Sequence, residues 1–204
     1  MNTLVQVFAR SPVLGEVKSR LASGVGVERA LDIYQQLLHF TLNQVEASGF
    51  ALEIWMQGSN SAAMSELLAT RHQPIAVHAQ VGDDLGERMH HALVQGRRRY
   101  GQVLLVGSDC IDLSPQRLRL AAEALQSGTD LVLGPSADGG YYLVAPDQSD
   151  LQLFNGVTWG SSTVWAESLA RTQALGWTLT ELPLGHDLDT IDDMRQAQDW
   201  GVVR

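Results

Sequence analysis

The chain is short of cysteine, of cations and of long apolar runs, and each shortage excludes something. One cysteine, Cys110, in 204 residues rules out an internal disulfide framework and a multi-cysteine zinc site. There are 14 Lys and Arg against 23 Asp and Glu, a net charge of −9. Such a surface lacks the clustered cations that a nucleic-acid duplex needs, so nucleic acid is not an expected partner. An anionic small ligand would need a local basic patch or a metal ion. No segment approaches the roughly 20 apolar residues of a membrane span. The opening MNTLVQVF has no basic stretch followed by a long apolar run. The expected location is therefore the cytoplasm. The length, with 45% hydrophobic and 18% charged residues, predicts one soluble domain over residues 1–204.

What is present is a regular alternation. Apolar runs predict strands over 4–9, 51–56, 75–79, 103–107, 130–134, 141–145 and 177–182. Helical spacing predicts helices over 28–48, 61–70, 84–100, 115–126, 162–175 and 190–200. Residues 10–26 and 146–161 read as loops. Strands that alternate with helices in this way imply an α/β fold: a mostly parallel, Rossmann-like sheet with helices on both faces.

The most informative stretch is VLLVGSDCIDL, residues 103–113. A buried parallel strand that ends in Gly107-Ser108 puts Asp109 at the carboxyl edge of the sheet, where open α/β sheets bind ligands. A carboxylate there suits Mg²⁺ or Mn²⁺. Equally, Asp109 could cap the following helix or simply belong to a turn. The loop FARSPVLGEVKSRL, residues 8–21, offers Arg10, Lys18 and Arg20 in a chain short of cations. They could converge on phosphates, or pair with surface acids. Gly15 lets that loop turn or approach a ligand. Neither a dinucleotide fingerprint nor a P-loop is present.

Further along, VGDDLGERM (81–89) opens a helix at Asp83 or Asp84, and its Arg88 could reach a phosphate or equally belong to a solvated helix end. LGPSADGGYYL (133–143) joins two strands, and Asp138, Gly139 and Gly140 could line a sugar pocket or form a plain turn. Trp159 could stack on a sugar or pack into the core. In HDLDTIDD (186–193), helix capping accounts for most of the acids but not for Asp187, which could join Asp109 at a metal. His186 could ligate too, and His90-His91 make a poor pair because neighbours on a helix diverge.

Taken in order, these motifs resemble a bacterial family, DUF2064, of GT-A-like glycosyltransferases with unknown acceptor. It is associated with radical-SAM and selenodomain proteins and related to nucleotidyltransferases of cofactor biosynthesis. The matching segments are 8–21, 82–89, 107–113, 134–143, 159–163 and 187–194. Ile111 stands where the family pattern has Pro, Ser136-Ala137 differs before Asp138, and WGSST replaces WST. The resemblance implies a nucleotide-diphospho-sugar transferase fold and a nucleotide-sugar donor. It implies donor phosphates on Arg10, Lys18 and Arg20, and a divalent metal (Mg or Mn) on Asp109. Asp187 and Asp189 would complete the metal site or act on the acceptor, and Asp138, Gly139 and Gly140 would line the sugar pocket. The function expected is metal-dependent glycosyl transfer to a small acceptor. A nucleotidyltransferase that condenses a nucleoside triphosphate with a phosphorylated metabolite would use the same groups. A nucleotide-binding module without turnover is the third possibility.

Overall fold

The computed structural model describes residues 2–58, 61–71, 73–148, 150–199 and 201–203. Seven strands form one sheet: β1 (Thr3–Arg10), β2 (Ala51–Gln57), β3 (Ala76–Ala79), β4 (Gln102–Val106), β5 (Leu131–Pro135), β6 (Tyr141–Pro146) and β7 (Leu179–Glu181). Their spatial order is β3-β2-β1-β4-β6-β5-β7. Only β6 runs against the rest, pairing antiparallel with β4 and β5. Among the described residues seven α-helices accompany them: α1 (Ser19–Val25), α2 (Val27–Ser48), α3 (Ser61–Leu68), α4 (Leu85–Arg97), α5 (Pro115–Gln126), α6 (Val164–Ala174) and α7 (Ile191–Asp199). Trp200, the predicted end of the last helix, lies outside the described residues.

The layering follows from the two-residue period of a strand. Along β1, Val5, Val7 and Ala9 join a cluster with Leu38 and Leu42 of α2, Met64 of α3 and Leu118 of α5. Leu4 and Phe8 point the other way, to Met89 and Leu93 of α4 and to Phe154. A strand covered on both faces reads as an apolar run rather than an alternation. Gln6, polar in the middle of this strand, is fully buried and donates to Glu53 Oε1 (3.1 Å) and to the Ala92 carbonyl (2.8 Å). A third cluster gathers Leu21, Ile33, Leu37, Leu188, Ala197 and Val203. It ties α1 and α2 to the C-terminal segment.

One element departs from the sequence expectation. Residues 19–25, read as loop, form α1. The helix has only seven residues, one buried side chain (Leu21), Gly24 inside it and no side-chain cap. Neither a stripe nor a start signal marks it. It exists because it packs: a Cβ on Gly24 would sit 3.6 Å from Ile191 of α7.

Candidate functional site

The chain leaves β1 toward β2 on one side and toward β4 on the other. A crevice opens beyond the carboxyl ends of two strands that diverge in this way. Asp109 stands there, three residues past the end of β4. Capping is not its role, since Ser114 caps α5 by accepting from Arg117 N at 3.2 Å. Instead residues 109–111 pair with 186–188. Ile111 N donates to the His186 carbonyl (2.9 Å), Leu188 N donates to the Asp109 carbonyl (3.1 Å), and Cys110 bridges Asp187. This short pairing holds Asp187 beside Asp109, although 77 positions separate them in the sequence.

Asp187 is the most unusual group in the site. Ser136 Oγ donates to its Oδ2 at 2.6 Å, while Oδ1 is buried without a partner. Burial, and then the Asp109 charge, push its carboxyl up to about 7. A buried carboxylate oxygen left unpaired beside a second acid calls for a cation. Among the described residues no group of three or more His, Cys, Asp or Glu forms a metal cage. The pair Asp109 and Asp187 nonetheless fits a hard divalent ion that takes its other ligands from water and phosphate.

Lys18 supplies the charge on the other side. Its Nζ lies 2.7 Å from Asp109 Oδ2 and 2.7 Å from Asp189 Oδ1, and its side chain is 7% exposed. Burial lowers its proton affinity, but the Asp109 and Asp189 charges outweigh burial and hold it well above the ordinary lysine range. Lys18 is also the one non-glycine residue at positive φ among those described (φ 49°, ψ 49°). A left-handed lysine costs about 1–2 kcal/mol, so the loop holds the ammonium in place against backbone preference. Burial pushes Asp189 up, and Lys18, with Arg20 and Arg10 behind it, more than offsets this and holds it below the carboxylate range. Arg20 reaches Asp189 at 3.9 Å from an exposed position. Asp189 is free for this because Thr190 and Asp193 cap α7 between themselves.

Two cavities meet over these groups. The first, about 380 Å³, is lined by Arg10, Lys18, Arg20, Tyr34, Gln80 and Asp109 among others. The second, about 510 Å³, runs under β6 and is lined by Asp138, Gly140, Trp159 and Asp187. Both share Phe8, Arg20, Leu85, Gly107 and Asp189. The fold thus brings Arg10, Lys18, Arg20, Asp109, Asp187 and Asp189 to one place.

Three predicted residues stand differently. Gly15 takes φ 79° in the loop but lines neither cavity. Arg88 also lines neither; its guanidinium donates to the Gly82 (2.9 Å) and Asp83 (3.3 Å) carbonyls, closing its own helix start. Gly139 faces the 158–163 loop, where a Cβ would meet the Ser162 carbonyl oxygen at 2.4 Å. Among the nearby groups, Asp112 turns away from the crevice and binds His186 through its backbone N and its Nδ1, both at 2.8 Å.

Sequence reasoning missed Tyr34. It sits on the apolar stripe of α2 and reads as core, yet its hydroxyl donates to the Arg10 carbonyl and accepts from the Arg10 N–H, both at 2.8 Å. Ser136, which orients Asp187, and Gln80 carried no signal beyond lying near motifs. Gln80 caps the first cavity by donating to the Trp55 carbonyl at 2.9 Å.

The fold is that of the nucleotide-diphospho-sugar transferases. A structure from Desulfovibrio desulfuricans G20, assigned only provisionally as such a transferase, superposes with a TM-score of 0.85 at 29% identity. The match covers 93% of this chain and 84% of that one. A nucleotidyl transferase from Methanothermobacter thermautotrophicus shares the fold (TM-score 0.64, 17% identity, 98% of both chains). So does Rv0371c of Mycobacterium tuberculosis H37Rv, solved in complex with manganese (TM-score 0.58, 18% identity, 98% and 99% covered). No curated protein matches the chain. Residues 41–161 match the model of the DUF2064 family, described as an uncharacterized protein conserved in bacteria, and the chain belongs to that family.

Proposed function

We propose that the protein is a metal-dependent transferase that moves the sugar of a nucleotide-sugar donor onto a small acceptor. The observation that carries this is the unpaired, buried Oδ1 of Asp187 beside Asp109, where the cavity lined by Lys18, Arg10 and Arg20 adjoins the cavity lined by Asp187. The D. desulfuricans relative supports a nucleotide-sugar donor, and the manganese bound to Rv0371c supports a divalent ion.

Asp109 and Asp187 would hold the metal, which when bound neutralises the leaving diphosphate. Lys18 faces the first cavity from between its two carboxylates and is placed to shift from Asp109 to a donor phosphate. Arg10 and Arg20 add charge from the open side. Asp189 keeps its proton affinity low, so it suits anchoring Lys18 better than accepting the acceptor's proton. Tyr34 fixes the Arg10 backbone at the mouth of the first cavity. Nucleotidyl transfer remains the second reading, supported by the fold shared with the M. thermautotrophicus enzyme.

The test is a stability panel of nucleoside diphosphates, triphosphates and nucleotide sugars with Mg²⁺, Mn²⁺ or EDTA, followed by turnover assays. Wild type is expected to be stabilised by a nucleotide diphosphate or nucleotide sugar only when metal is present, and Asp109→Asn to lose that response. Release of free sugar or a glycoside supports the proposal. Pyrophosphate release from a triphosphate would replace it with nucleotidyl transfer. No response to any nucleotide would overturn both.

A further inference from the structure

The second cavity differs in chemistry from the first. Its floor is made by Met89 of α4, Leu105 of β4, Leu143 and Val144 of β6, and Trp159. The polar side chains around that floor are already committed. Tyr141 is hydrogen-bonded to Ser168, and Ser161 Oγ donates to the Thr158 carbonyl at 2.7 Å. The Gly140 N–H donates to Asp138 at 2.9 Å. Trp159 Nε1, like Asp187 Oδ1, is buried without a partner. The indole itself is firmly placed: Tyr141 meets it edge-on at 6.3 Å, and a Cβ on Gly86 would lie 2.9 Å from its Cζ2. A rigid aromatic face is suited to an apolar or ring-shaped ligand body.

The rim carries the opposite message to a phosphate pocket. Asp138, Asp187 and Asp189 line it, and Arg20 is the one cation among its lining residues, already beside Asp189 at 3.9 Å. Lys18 and Arg20 already offset Asp189, so a phosphorylated acceptor would bring its negative charge to Asp138 and Asp187 with no cation left over in the lining. A metal held by Asp109 and Asp187 would serve the donor diphosphate, whereas Met89, Leu143 and Trp159 give the second cavity an apolar wall.

We infer that the second cavity takes an uncharged, hydroxyl-bearing acceptor with an aromatic or aliphatic body seated on Trp159 and Met89, and that it discriminates against phosphorylated acceptors. This rests on the assignment of the first cavity to the nucleotide.

A matched pair of probes tests it: phenyl β-D-glucopyranoside and glucose 1-phosphate, the same sugar bearing either a phenyl group or a phosphate. Each is titrated calorimetrically into the full chain, alone and with Mg²⁺ and a saturating nucleoside diphosphate. The phenyl glucoside is expected to bind about tenfold or more tighter than the phosphate, and Trp159→Ala to remove most of that preference. Ser162→Lys, at an exposed position on the cavity wall, is expected to shift the preference toward glucose 1-phosphate, and it keeps the test usable if Trp159→Ala misfolds. Equal or tighter binding of glucose 1-phosphate by wild type overturns the inference, as does failure of both probes to bind. Tighter binding of the phenyl glucoside without any nucleotide response would keep the cavity's ligand preference but remove the nucleotide assignment, and with it the cavity's role as an acceptor site. A nucleotide response with glucose 1-phosphate preferred would do the reverse.

Discussion

At the residue scale, the site is a set of charges held in arrangements they would not adopt alone. Lys18 combines a strained backbone with two short ion pairs, and the two contributions can be separated. Lys18→Met should lower stability by about 1–3 kcal/mol in urea denaturation, a loss moderated because both carboxylates are partly hydrated. Lys18→Gly loses the same ion pairs but relieves the left-handed backbone, so it should be about 1 kcal/mol more stable than Lys18→Met. Asp187 makes a pH prediction for the protein in EDTA. Its folded carboxyl keeps a proton up to about pH 7, whereas the unfolded one releases it near the ordinary value of 3.8. Between those values the folded state binds more protons, so this group makes stability fall as pH rises. Asp187→Asn should therefore be more stable than wild type at pH 8, by about 1–3 kcal/mol, with the difference closing toward pH 4. An unchanged difference across that range would show that burial does not set the Asp187 carboxyl.

The element scale shows what was legible in the sequence and what was not. β1, β4 and α2 are strongly patterned, and the sequence places them within one or two residues. Asp109 and Lys18 were also legible, because a small residue followed by an acid after a buried strand, and cations in the loop after the first strand, have direct chemical meanings. α1 was not, since its stability comes from Ile191, Leu188 and other distant partners rather than from its own composition. Tyr34 was hidden by helical periodicity, which reports which side chains face inward and not what their far ends touch. The two turn glycines were alike in sequence but differ in surroundings. Gly139 has φ 91° and its Cβ position is 2.4 Å from the Ser162 carbonyl oxygen, whereas Gly15 has φ 79° and nothing within 4 Å. Gly15→Ala should cost only about 1 kcal/mol, from backbone strain alone. Gly139→Ala should cost at least twice as much, read by thermal unfolding, and should displace the 158–163 loop that carries Trp159.

At the scale of the whole molecule, the C-terminal segment closes over the loop that carries the lysine. Ala197 and Val203 are buried in the cluster that holds Leu21, three positions beyond Lys18. Removing residues 191–204 should uncover Leu21, Ile33 and Leu37, lower the unfolding temperature by roughly 5–10 °C, and weaken nucleotide binding without touching a phosphate-binding side chain. An unchanged affinity would show that the loop holds its own shape. The lysine at the centre of this arrangement is the only one in the chain; the other 13 cations of that type are arginines. Among the side chains of this sequence, amine-directed reagents therefore meet one amine, which its ion pairs with two carboxylates keep protonated and unreactive. Any ligand that draws Lys18 out of that clasp changes its acylation rate, so the unaltered protein comes with a single-position covalent reporter of its own occupancy.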